Sequence, residues 1–203
     1  MAAENYITRA QFQASKTLTD TTFANEDIDR VIAAASRDIE DATGRKFYIA
    51  DPTNDETRYF SPIEPNVLDI DDLATCTSVK LDCDGDGTAE TALTRNTDYV
   101  LEPLNAASDD APYDRLRIHP RGSHPLPVEY PRSVEIVGIF GWETVPSKIE
   151  MACLLLAGRY LTRGRSAPLG VVGLGPEGAA VRILRTDPDV YQLLQSFIRP
   201  LVA

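Results

Sequence analysis

The residues with the plainest chemical potential lie in one short run, "DCDGDGTAE", residues 82 to 90. Asp82, Asp84 and Asp86 alternate with other residues and Gly87 follows. This is how a calcium loop begins, with oxygen ligands at its first, third and fifth positions and glycine at its sixth. Such a loop between two helices also wants a bidentate glutamate at its twelfth position, which here is Leu93. The flanks "SVKL" and "ETALT" have strand character. The stretch therefore reads as a β-hairpin tip, built from Asp and Gly because both tolerate positive φ. No cofactor is expected; if the three carboxylates do hold calcium, Asp82, Asp84 and Asp86 are the ligands.

Other chemistry is hard to find. His119 and His124 sit in "HPRGSHP" with no Cys or Glu at ligand spacing. "GVVGLG", residues 170 to 175, has the wrong glycine order for a dinucleotide fingerprint and lacks the Lys-Ser/Thr ending of a phosphate loop. No GxSxG run or HExxH helix occurs. An enzyme acting on DNA would need a basic groove, and none is legible. The chain is expected not to be an enzyme.

The formal net charge is −11 and unevenly spread. Residues 51 to 114 hold 16 acids against 3 bases, whereas residues 146 to 203 hold 4 acids against 7 bases. A chain this acidic does not seek nucleic acid through counterion release. Oppositely charged segments can, however, orient head-to-tail contacts between copies. No apolar run reaches the roughly 18 to 20 residues of a membrane span, and "MAAENYITRAQF" has no leader character, so no membrane partner is expected. Cys76, Cys83 and Cys153 form an odd, sparse set that fits reduced thiols and synthesis in a cytoplasm.

The elements that position these residues fall into two textures. "TRAQFQASK" opens with Thr8 and Gln11 at capping-box spacing, which predicts a helix from Arg9. "NEDIDRVIAAASRDIEDATG" predicts a second helix, capped by Asn25 and stopped by Gly44, with Ile28, Val31, Ile32, Ala35, Ile39 and Ala42 on its buried stripe. From about residue 51, short β-rich runs such as "TRYF", "NVLDI", "CTSVKLD", "DYVLEP", "RLRIH" and "SVEIVGIFGW" alternate with turn residues, as in antiparallel sheets. "VPSKIEMACLLLAGRYLTRGR" restores a helix with Pro146 in its first turn. A glycine-rich stretch then reads as irregular, and "DPDVYQLLQSFIRP" closes with a helix capped by Asp187. The fold class is α+β. A small helical bundle core, residues 1–50 and 146–203, carries a β-rich antiparallel insertion, residues 51–145, between its second and third main helices. Trp142 in "FGWETVP" reads as a core residue sealing the junction between a β run and a helix.

This order resembles the head-to-tail connector (adaptor) proteins of long-tailed bacteriophages. The pieces that carry the resemblance are the helix ending "IEDATGRKF" and the junction "GWETVP" leading into an apolar helix. What it implies is a structural virion protein of the neck, made in the bacterial host cytoplasm. Such a protein forms a dodecameric ring between the portal protein and a stopper or tail-completion protein, and genomic DNA passes through its channel without specific binding. The resemblance assigns portal docking to residues 164–203 by region. Its expected contacts are Arg163, Arg165, Leu169, Val171, Val172, Arg182, Arg185, Phe197 and Arg199. An acidic channel wall would repel phosphate, with Asp71, Asp72 and Asp82 as the acids to neutralise. The alternative is a calcium-dependent binding module on the loop 82–90.

Overall fold

The computed structural model describes residues 4–16, 23–122, 124–166, 171–174, 179–182 and 188–199. In chain order come α1 (Arg9–Lys16), α2 (Asn25–Thr43), β1 (Glu56–Phe60), β2 (Val67–Leu81), β3 (Thr91–Leu93), β4 (Tyr99–Glu102), β5 (Tyr113–Ile118) and β6 (Val134–Phe140). Then follow α3 (Ser147–Ser166), β7 (Val171–Leu174), β8 (Ala179–Arg182) and α4 (Pro188–Leu194). The class is α+β, with six antiparallel strands inserted between α2 and α3, as the sequence predicts. The chain divides into two compact units, Lys46–Thr144 and a helical unit formed by Ala2–Arg45 with Val145–Ala203.

In the helical unit the capping box before α1 forms as predicted. The Thr8 N–H donates to Gln11 Oε1 at 2.7 Å and the Gln11 N–H to Thr8 Oγ1 at 3.2 Å. Asn25 does not cap α2. It is the first helical residue, and extended Ala24 precedes it without a side-chain cap. Glu26 and Asp27 still complement the positive end of the dipole, and the Gly44 N–H closes the helix on the Glu40 carbonyl at 2.8 Å. Ile28, Ile32, Ala35 and Ile39 are buried as expected, but Ala42 is exposed while Ser36 and Thr43 are inside. Both hydroxyls donate back to carbonyls one turn earlier, Ile32 at 2.9 Å and Ile39 at 2.7 Å, so their burial leaves no polar group unmatched. α3 buries Ile149, Ala152, Cys153, Ala157 and Leu161, and α4 buries Val190 and Leu194. The buried faces of α2 and α3 meet where Cys153 Sγ lies 3.6 Å from Ser36 Oγ. Within the stretch expected to be irregular, β7 and β8 pair antiparallel.

In the β unit the strand order is β1-β6-β2-β5-β4, with β3 also on β2. The runs "NVLDI" and "CTSVKLD" prove to be one strand of 15 residues. Its register shifts between Asp69 and Leu73 against β5, and twice more against β6. Such bulges bend and twist a strand. The first half of β2 thus pairs with β5, and the second half lies between β6 and β3. Leu73, Val79, Leu81, Leu116, Val134 and Ile136 are fully buried in the core. Acids of the middle segment pair across strands instead: Asp69 with Arg115 at 2.8 Å, Glu102 with Arg117 at 2.8 Å, and Glu135 with Lys80 at 3.6 Å. Each such exposed pair contributes about 0–1 kcal/mol, so they favour one register more than they stabilise the fold.

Candidate functional site

The acidic run closes the hairpin between β2 and β3, whose last pair is Leu81 with Thr91. Asp82 organises it. Its Oδ1 accepts the Gly85 N–H at 2.7 Å and its Oδ2 the Gly87 N–H at 2.9 Å. Asp84 and Asp86 continue the pattern, accepting the N–H groups of Asp86 at 3.2 Å and Thr88 at 2.8 Å. These are successive Asx turns, the local reason such residues populate tight loops. Gly85 has φ +78°, and a Cβ there would lie 2.5 Å from the Tyr130 ring, so only glycine fits. Burial of the Asp82 carboxyl opposes its ionisation, yet the two glycine N–H bonds prevail and hold its pKa below the ordinary value.

Glu90, which the sequence analysis did not count, joins this group. Ligand oxygens of Asp82, Asp84, Asp86 and Glu90 all lie within 4.8 Å of one another. The signal was available, because Glu90 occupies the ninth position of the loop pattern, a common calcium-ligand position. Four such oxygens could hold a hard cation. Asp82 would have to share its oxygens with the two backbone donors it already serves.

The two sequence pieces that carry the family resemblance come together where the β unit begins and ends. Phe47 is fully buried, and its ring centroid is 5.4 Å from that of Trp142. The Trp142 indole N–H donates to Asp72 Oδ2 at 2.9 Å, and the Gly141 N–H to the Asp72 carbonyl at 2.7 Å. Gly141 has φ +123° and sits directly on the Tyr48 carbonyl, where a Cβ would be 2.1 Å from the oxygen. Trp142 is the core residue expected. Its partner Asp72 was assigned to a channel wall with Asp71 and Asp82; the structure corrects this for Asp72 and Asp82, which are buried, while Asp71 stays half-exposed and pairs with Arg58 at 2.8 Å. Asp84, Asp86 and Glu90 at the hairpin tip are among the exposed acids of the β unit.

The residues assigned to portal docking are spread over several elements. Arg163 is exposed near the end of α3, and Arg165 lies in its last turn. Val171 and Val172 are on β7, and Val171 stands in register with Arg182 on β8, so three of the nine share one strand pair. Phe197 is half-buried in a single 3-10 turn, Gln195–Phe197, after α4. The Arg199 N–H donates to the Thr43 carbonyl at 3.0 Å, which seats that residue on the C-terminal end of α2. Leu169, Arg185 and the expected cap Asp187 lie outside the described residues. His119 shapes a turn, its Nδ1 accepting the Arg121 N–H at 3.2 Å while its own backbone N–H donates to the Asp98 carbonyl at 2.8 Å, and His124 is exposed. All three cysteines are free thiols. Among the described residues no helix is long and apolar enough to cross a membrane.

No protein-family model matches the chain, and no curated protein does. Among the solved structures similar to it are two chains from particle necks. One is a chain from the neck of an empty GTA (gene transfer agent) particle computed with C6 symmetry, at TM-score 0.55 and 20% identity, covering 100% of this chain and 96% of that one. The other is from the neck of a native GTA particle computed with C12 symmetry, at TM-score 0.50 and 18% identity, covering 100% and 99%. The chain thus shares its fold, from end to end, with neck proteins of phage-like particles.

Proposed function

We propose that this chain is a structural protein of a virion neck, an adaptor that forms a ring between the portal and a stopper or tail-completion protein, and not an enzyme. The observation that carries the proposal is the fold likeness to neck chains over the whole length of this chain and 96% and 99% of theirs. Twelvefold symmetry in one of those necks supports a ring of twelve copies. Residues 164–203 grip the portal, with Arg163 at the edge of that surface. A chain with net charge −11 lines a DNA path without holding the DNA, since like charge repels phosphate. Asp84, Asp86 and Glu90 are the exposed acids suited to that task.

The test is electron microscopy of this protein co-expressed with the portal protein of its own genome. A second symmetric ring stacked on the portal is expected in end-on views. Bare portals with the protein left monomeric would end the adaptor reading.

One observation favours a second reading, a calcium-dependent binding module: four carboxylate ligand atoms lie within 4.8 Å of one another at the hairpin tip. That reading predicts sub-millimolar calcium affinity by calorimetry, lost in Asp84→Ala. Absence of calcium heat in the native protein removes it.

A further inference from the structure

The helical unit carries two exposed stripes whose chemistries are opposite. On α2 the exposed positions include Asp27, Arg30, Ala34, Asp38 and Asp41. Their offsets of 3, 7, 11 and 14 residues keep them on one helical face. On α3 a stripe with the same offsets runs through Lys148, Met151, Leu155, Arg159 and Thr162, with Arg163 at its border; of these only Leu155 is half-buried. The α2 stripe holds three acids and one base; Arg30 pairs with Asp27 at 2.8 Å, so its net negative charge rests on Asp38 and Asp41. The α3 stripe with its border holds three bases and no acid. Their centres differ in size as well. Ala34 leaves a shallow site on α2, while Met151, 49% exposed, and Leu155 project from α3.

Neither stripe faces the other within one subunit. The buried faces of α2 and α3 are the ones that meet, at Ser36 and Cys153, so the exposed stripes turn away from each other. Only at the rim does Tyr160 reach Asp38 with its hydroxyl. One subunit thus presents two different surfaces, complementary in charge and in bulk, in two directions. That is the requirement for a heterologous contact, which closes into a ring when the rotation between copies allows it. Large side chains opposite a small one let two helices approach closely, and opposite charges fix partner and register.

We propose that the ring is built by seating the α3 stripe of one copy on the α2 stripe of the next, with Met151 and Leu155 over Ala34 and with Lys148, Arg159 and Arg163 facing Asp27, Asp38 and Asp41. This rests on the ring reading above and names the surfaces that make the ring.

The test uses the full chain carrying Cys83→Ser, co-expressed with the portal and oxidised after purification. With Ala34→Cys and Met151→Cys together, denaturing gels should show a ladder of covalent multimers. Either cysteine alone should give none beyond a dimer. Stacked rings in the microscope without a ladder from the double variant would overturn the contact and leave the adaptor reading standing. No ring from the unaltered chain would end both. As a second measurement, Lys148→Glu with Arg159→Glu should keep the melting temperature of the subunit and reduce the fraction of portals carrying a ring at least tenfold. Unchanged ring occupancy in that variant overturns the contact.

Discussion

The β unit and the helical unit handle their polar groups in opposite ways. In the β unit the demanding polar groups are matched internally. Asp72 takes the Trp142 indole, Asp82 takes two glycine N–H groups, and arginines of β5 find acids on β2 and β4. The helical unit buries little that is charged; its exposed stripe on α2 is mainly acidic, with Arg30 paired to Asp27, and that on α3 is basic. Among the described residues the buried carboxylates, Asp72, Asp82 and Asp98, all belong to the β unit. Acidic composition alone does not separate these cases. What separates them is whether a carboxylate is buried with a donor or carried on an exposed helix face.

If that contrast is right, substitutions in the β unit should cost stability, and those on the helical stripes should cost assembly. The largest loss is expected from Trp142→Ala, about 3–5 kcal/mol in urea unfolding followed by circular dichroism, because an aromatic core anchor leaves a cavity. Asp72→Ala should cost about 1–3 kcal/mol in the same measurement, since it strands the buried indole N–H. Arg115→Ala, which removes an exposed cross-strand pair, should cost less than about 1 kcal/mol. Smallest of all, Lys148→Glu with Arg159→Glu should leave subunit stability within about 0.5 kcal/mol while reducing ring occupancy at least tenfold. A stripe variant that unfolds the subunit, or a Trp142 variant that does not, would erase the distinction.

Titration sharpens the same comparison. Asp82 has a depressed pKa in the folded chain, so its contribution is fully present above the ordinary carboxylate value. That contribution is lost as pH falls through the lowered one. Acid unfolding of the β unit should therefore shift to lower sensitivity in Asp82→Asn, read from the pH dependence of the urea midpoint. Tyr160 shifts the other way. Burial and the hydrogen bond to Asp38 push its phenol up to about 12 from 10.0. Its contribution is complete below the unfolded value and disappears as pH rises through that interval. Tyr160→Phe should flatten the alkaline limb of the stability curve.

Much of this was legible in the residues. α2 announced itself through its 3.6-residue period, α1 through Thr8 and Gln11, and the hairpin tip through Asp and Gly. The errors have physical causes. Ala42 was placed on the buried stripe of α2 and is exposed, while Ser36, absent from that stripe, is buried, because a helical serine can satisfy its hydroxyl on its own preceding turn. β2 was read as two strands because "DIDD" interrupts the apolar pattern at the bulge, where register resets. The Asp72–Trp142 bond joins residues 70 positions apart, and nothing local in either segment signals it. A polar helix face reads the same whether it meets water or another protein. The portal-docking residues could therefore be assigned only by region, and the two helical stripes emerged only once burial was known.

The close seating of Gly141 on the Tyr48 carbonyl and of Phe47 against Trp142 has a consequence for how such a chain can evolve. The two leads of the β unit run side by side and are clamped by residues that belong to that unit. A piece whose leads emerge together behaves as a cassette. The chain between them can be lengthened or trimmed while its two ends keep their spacing.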